Sequence, residues 1–98
     1  MSTNQIFSIT SGAGVSLGVT SSSAQVAITV FDTVRVVNLG PNKCYMRFSA
    51  TASPTALTSD ACVPMGVEVF YAPGTVAVAA ICDATETATL KLIPGNGA

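Results

Sequence analysis

The sequence contains no histidine and no tryptophan, and only 9% of its 98 residues are charged. Without histidine the chain lacks the commonest general base and every Ser–His or Cys–His nucleophile pair. Its three dispersed cysteines, with no histidine to help them, cannot supply the four ligands of a structural zinc site. We therefore expect a protein that is not an enzyme and that holds no metal and no cofactor.

The scarcity of charge indicates an assembled protein. An average soluble domain has roughly 25% charged residues, and those charges keep monomers apart in solution. The net charge is −1, and the four basic residues are spread along the chain at Arg35, Lys43, Arg47 and Lys91. Phosphate binding needs several cations on one face, so nucleic acid is not expected as a direct partner.

The sequence contains no long apolar run, and we expect no secretory signal at residues 1–5. The longest apolar run, residues 76–82, is far shorter than the roughly 20 residues of a membrane-spanning helix, and residues 1–5 carry no positive charge. An odd number of cysteines argues against a disulfide framework. We expect no membrane partner, with Cys44 and Cys82 as core thiols and Cys62 as a residue without a nearby cation to activate it.

Short segments rich in Val, Ile, Thr and Phe dominate the chain, and Gly, Pro, Asn, Asp and Ser separate them. This pattern predicts a single all-β domain over residues 1–98, a β-sandwich of about eight antiparallel strands with either jelly-roll or immunoglobulin-like topology. Residues 1–5 and 94–98 are polar or Gly-rich, which is typical of flexible arms. The predicted strands are residues 6–10, 15–19, 24–30, 33–39, 43–49, 66–71, 76–82 and 87–93.

Alternation along these strands predicts which side chains face the core. Cys44, Met46 and Phe48 fall on one side of their strand, and Lys43 and Arg47 fall on the other. A strand with one polar face favours antiparallel pairing, because parallel sheets are usually buried on both faces.

Residues 50–64 form a connection that is long for so compact a domain, and loops of this length are usually functional or mobile. We take it as the leading contact loop, with a solvated crossover between two sheets as the alternative. Alternation also places apolar side chains on faces otherwise assigned to solvent, among them Val37, Leu39 and Ile93, which favours a contiguous patch for a partner over mutual covering within the domain. The candidate interface residues are Tyr45, Pro54, Leu57, Val63, Met65 and Phe70.

Residues 34–48 have the form V-R-V-x-N-x-G-x-N-x-x-x-x-R-F, followed by Pro-Met-Gly-Val-Glu-Val-Phe at 64–70 and a closing Leu-x-x-x-Pro-Gly. From residue 34 to residue 97 the chain resembles small structural proteins of tailed bacteriophages and prophages. The resemblance implies a decoration or cement protein, made in the bacterial cytoplasm and bound to the major capsid protein on the exterior of the virion. It also implies a closed homo-oligomer, a dimer or a trimer. A neck or tail adaptor is the alternative virion role.

A carbohydrate- or receptor-binding module is the alternative from another class. Sugar sites need exposed aromatic platforms with paired polar groups. With tryptophan absent, Tyr45 and Tyr71 are the side chains that would serve.

Overall fold

The computed structural model describes residues 8–9, 14–30 and 32–96, and every regular element among them is a β-strand. The predicted all-β class is confirmed. None of the described residues belongs to a helix that could cross a membrane. The strands are β1 (Ser8–Ile9), β2 (Val15–Val19), β3 (Ala24–Ala27), β4 (Thr33–Pro41), β5 (Cys44–Ser49), β6 (Ala61–Val63), β7 (Gly66–Tyr71), β8 (Ala77–Ile81) and β9 (Ala88–Asn96).

The strands form two antiparallel sheets that pack together as a β-sandwich. Sheet A has the order β9-β4-β7, with β1 and β2 both lying along the free side of β9, and sheet B has the order β3-β8-β5-β6. The pairs are nested, since β2 joins β9, β3 joins β8, β4 joins β7 and β5 joins β6. This nesting is the arrangement of a jelly roll. An immunoglobulin-like sandwich pairs strands that follow one another in the chain, as its first two and its last two strands do. Among the strands described here, only β5 and β6 are consecutive and paired.

Small aliphatic side chains from the inner faces of both sheets fill the core. Val36, Leu90 and Leu92 of sheet A are fully buried, as is Met46 of sheet B. The alternation predicted for β5 is confirmed at Cys44 and Met46, while Phe48 is half-buried at the end of that strand. A chain with few aromatics therefore closes its core by interleaving Val, Leu and Met.

One strand escaped prediction. β6 lies inside the segment predicted as a loop and pairs with β5 at the edge of sheet B. It has three residues, and both Ala61 and Cys62 are exposed, so neither length nor alternation marks it in the sequence.

The last strand is longer than predicted, and the expected arm at residues 94–98 is corrected for residues 94–96. Pro94 and Gly95 are buried within β9. Along the free side of β9, pairing with β2 ends at Leu92 and pairing with β1 begins at Gly95. Pro94 thus occupies the position where neither strand is paired, which suits a residue with no N–H to donate. Residues 97–98 and the predicted arm at 1–5 lie outside the described residues.

Candidate protein-interaction surface

The candidate interface residues do not form one surface, and two of them face inward. Val63 is fully buried on β6, and its carbonyl accepts a hydrogen bond from the Asn38 amide at 3.1 Å. It is inaccessible to a partner, so its assignment to the interface is corrected. Phe70 shares its side of β7 with the buried face of β4 and packs against Phe48, with ring centroids 5.0 Å apart. Phe70 is thus mainly a core residue.

Tyr45 belongs to a polar cluster on the outer side of sheet B. Its hydroxyl donates to the Asp83 carboxylate at 3.2 Å, and Lys43 pairs with the same carboxylate at 3.0 Å. The hydrogen bond from Lys43, with a further one from Tyr45, lowers the pKa of Asp83. Burial, followed by the hydrogen bond to Asp83, raises the pKa of Tyr45. The side chain is therefore held within the domain and does not form an open aromatic platform.

Residues 50–60, the β5–β6 loop, cross the outer face of sheet B. The loop starts at the end of β5. In its middle, the Ala56 N–H donates to Ser23 Oγ at 2.9 Å, and Ser23 lies immediately before β3. Because β8 lies between β3 and β5, the loop has to pass over β8. Ala79, which alternation places on the outer side of β8, is accordingly fully buried. Sheet B is thus covered on both faces, and the predicted contact loop serves as its outer cover, with Leu57 exposed and Pro54 half-buried.

An ion pair anchors the far end of the β5–β6 loop. Arg47 donates to Asp60 from Nε and Nη2 at 3.0–3.2 Å, and the Leu57 N–H donates to the same carboxylate at 2.7 Å. The Asp60 side chain is only 16% exposed. The hydrogen bond from Leu57, followed by that from Arg47, holds the pKa of Asp60 below its ordinary value.

We expect Asp60→Asn to destabilise the fold by about 1 kcal/mol at pH 7, because it removes a charge-assisted, bidentate pair. The folded-state pKa of Asp60 is depressed, so its contribution is present above the unfolded-state pKa and is lost as the pH falls through the folded-state value. The difference in unfolding free energy between wild type and variant should therefore shrink below about pH 4. Urea denaturation of wild type and variant at pH 7 and pH 3 measures this difference. An equal difference at both pH values would contradict the stabilising role of the Asp60 carboxylate.

The outer face of sheet A has no covering loop among the described residues. Strand register places Val37 opposite Val67 and Arg35 opposite Val69 on this face. Val67 and Val69 are 52% and 48% exposed, and Tyr71, next in the same row, is 76% exposed. We call this surface the sheet A patch. It consists of the apolar side chains of Val37, Leu39, Met65, Val67, Val69, Tyr71 and Ile93, with the cations of Arg35 and Lys91.

Charge is distributed unequally between the two sheets. Lys43 and Arg47, at β5, are both in ion pairs. Arg35 and Lys91, on sheet A, are exposed and have no ion pair within the described part of the chain. Because Arg35 lies opposite Ile93 and Lys91 lies opposite Val37, Arg35 and Lys91 occupy diagonal positions on neighbouring strands, which places their Cα atoms about 7–8 Å apart. The patch is therefore apolar and cationic, and it suits a partner surface that offers apolar side chains and carboxylates.

Several residues of the sequence pattern at residues 34–48 have structural roles. The buried Asn38 amide donates to the carbonyls of Asn42 and Val63 and accepts from the Gly40 N–H at 2.8 Å. Gly40 has φ +86°, and a Cβ there would meet the Met65 sulfur at 2.6 Å. Asn42 Oδ1 accepts from the Thr87 N–H, and Arg47 and Phe48 make the contacts described above. Arg35 is the exception, since it is exposed and makes no such contact with the described residues.

The sequence pattern pointed to Val37, Leu39, Met65 and Ile93 as contact residues. It missed Val67 and Val69, and it indicated Tyr71 only as a possible sugar platform. The strand Gly66–Tyr71 is apolar on both sides except at Glu68, so its alternation has no clear phase. The burial of Phe70 sets the phase, and it puts Glu68 on the inner side. Glu68 still reaches solvent there because β7 is an edge strand. The side on which each residue of β7 lies can therefore be assigned only when its pairing with β4 is known.

The cysteines are unbridged, and two of them lie in the core as predicted. Burial raises the pKa of the Cys44 thiol to about 12, and burial also raises the pKa of Cys82. Both thiols are therefore protonated and unreactive at neutral pH. Cys62 is exposed on β6.

No family model, no curated protein and no solved structure matches the chain. The sheet A patch is therefore the feature of the molecule from which a function is inferred.

Proposed function

We propose that the protein is a virion structural protein of a tailed bacteriophage, a decoration or cement protein that binds the outer surface of the major capsid protein. The observation that carries the proposal is the sheet A patch. Only 9% of the residues are charged. The outer face of sheet B is covered by the β5–β6 loop, while the outer face of sheet A presents exposed apolar side chains and two cations that form no ion pair with the described residues. Such a face suits a large complementary protein surface.

Two further observations support this role. The jelly roll is a fold used by viral capsid domains, although fold alone does not determine function. Among the polar residues of the phage-like pattern, Arg35 is the one whose side chain has no hydrogen bond or ion pair with the described residues, and it lies in the sheet A patch. A cement protein needs no chemistry, only many copies that each bind with modest affinity.

The alternative roles differ in how well the structure supports them. A sugar-binding module receives less support, because Tyr71 is the one largely exposed aromatic residue among those described and Tyr45 is bonded to Asp83. A neck or tail adaptor would use the same patch. A virion reconstruction separates that role from decoration, since decoration places copies over the whole shell and an adaptor forms a single ring.

The direct test reverses one charge on each sheet. We expect Arg35→Glu to weaken binding to purified expanded capsid shells by at least about tenfold, since one attraction to a carboxylate becomes a repulsion. Lys43→Glu makes the same change in net charge on sheet B and should leave shell affinity within about twofold of wild type. Co-sedimentation with shells over a range of protein concentrations measures both. Equal losses for the two variants would contradict a role for the sheet A patch.

The same assay decides between the patch and the β5–β6 loop. If the loop contacted the shell, Leu57→Ala would weaken binding. We expect no change, because Leu57 lies on the cover of sheet B, on the opposite side of the sandwich from the patch.

A further inference from the structure

The free edge of β7 is the longest unpaired strand edge among the described residues. β7 pairs with β4 on one side only, and it is exposed at every residue except the half-buried Phe70. The other edge strands are shorter: β1 has two residues, β2 has five, β3 has four and β6 has three. β7 has six residues and contains no proline and no lysine, and its one device against pairing is Glu68, a charged residue on the inner side of the strand.

The sequence of β7 suits pairing with itself. When two identical antiparallel strands are related by a two-fold axis, one residue lies opposite its own copy at the axis. An axis at Glu68 would set two carboxylates against each other, which is unfavourable. An axis at Val69 instead puts Val69 against Val69, Val67 against Tyr71, and Glu68 beside Phe70.

We propose that two copies of the chain pair through β7, antiparallel and about a two-fold axis at Val69, so that their A sheets join into one continuous sheet. The outer side of the junction is then an apolar row made by Val67, Val69 and Tyr71 of both copies, all on the exposed face of sheet A. The backbone N–H and C=O groups along this edge gain partners. The dimer presents two sheet A patches side by side, which doubles the number of contacts that one particle makes with a surface. The pairing of the two copies does not depend on which protein surface the dimer binds.

A register-specific cross-link tests the pairing. In a Cys62→Ser background, which removes the exposed native thiol, Val69→Cys should form a disulfide-linked dimer under mild oxidation. Residues directly opposite in an antiparallel pair have Cα atoms about 4.5–5.5 Å apart, within the Cα separations of about 4.4–6.8 Å that disulfides span.

Val67→Cys is the matched control, a valine on the same strand, on the same face and with similar exposure. In the proposed register its copy lies four residues further along the partner strand, about 13 Å away, and it should not cross-link. Equal cross-linking at both positions would overturn the register.

Sedimentation equilibrium of the untagged wild-type chain should show a concentration-dependent mass that approaches twice that of the monomer. Val69→Lys places two cations at the axis and should return the chain to a monomer, whereas Thr89→Lys, exposed on the same face but on β9, should not. A wild-type mass equal to the monomer at every concentration would overturn the dimer. Shell binding by a monomer would leave the proposed function standing.

Discussion

Leu90→Ala should destabilise the fold by about 3–4 kcal/mol, the range found for large-to-small substitutions at fully buried leucines. Leu90 lies in β9 between β2 and β4, and no part of it is exposed. The loss combines the transfer free energy of the deleted methyl groups with the cavity left between two sheets that cannot fully close around it.

The matched control is the same substitution at Leu57, which is 51% exposed on the β5–β6 loop and should cost less than about 0.5 kcal/mol. Urea denaturation of both variants at one protein concentration measures the difference in unfolding free energy. Similar losses at the two sites would mean that sheet A does not form the centre of the core.

Asn38→Ala should destabilise the fold by about 3 kcal/mol, although the deleted group is polar and small. Asn38 is 2% exposed, and its amide links β4 of sheet A to the carbonyl of Val63 in sheet B. Truncation leaves buried partners unsatisfied, namely that carbonyl and the Gly40 N–H, and each such group costs about 1–3 kcal/mol.

Asn42→Ala provides the comparison for this polar site. Its side chain accepts one exposed hydrogen bond, from the Thr87 N–H at 3.2 Å, so its loss should cost less than about 1 kcal/mol. Chemical denaturation of the two variants decides the point. If Asn42→Ala cost as much as Asn38→Ala, the bond between the sheets would not be the reason for the effect.

The sequence predicts most of the fold because local patterns determine most of the strands. β2 and β7 have the predicted bounds, and β5 shows the predicted inner face at Cys44 and Met46. Ala72-Pro73-Gly74 forms a turn of the kind that a Pro-Gly pair favours, with Gly74 at φ +78° and the Thr75 N–H hydrogen-bonded to the Ala72 carbonyl. These features depend on residues adjacent in sequence, where alternation and turn chemistry act.

The candidate surface was harder to predict, because exposure depends on strands far apart in the chain. Nothing near Val63 in the sequence shows that it is buried against sheet A, and nothing near Ala56 shows that its loop lies over β8. Glu68 misleads for a similar reason, since its charge suggests a place on the outer side of β7, whereas strand pairing puts it on the inner side, where it is exposed to solvent. The low charge of the chain indicated a contact surface, but only strand pairing located it.

The nested strand order also has a kinetic consequence. Only the innermost pair, β5 with β6, joins segments close in sequence, whereas the outermost pair brings Val15 against Leu92, near opposite ends of the chain. Each outer pair closes a larger loop than the one inside it, and the entropy lost in closure is offset only after distant segments have met. Folding is therefore expected in roughly the millisecond-to-second range of β-rich domains with distant contacts. Until β4 pairs with it, β7 has both of its edges unpaired and can bind to strands of other chains.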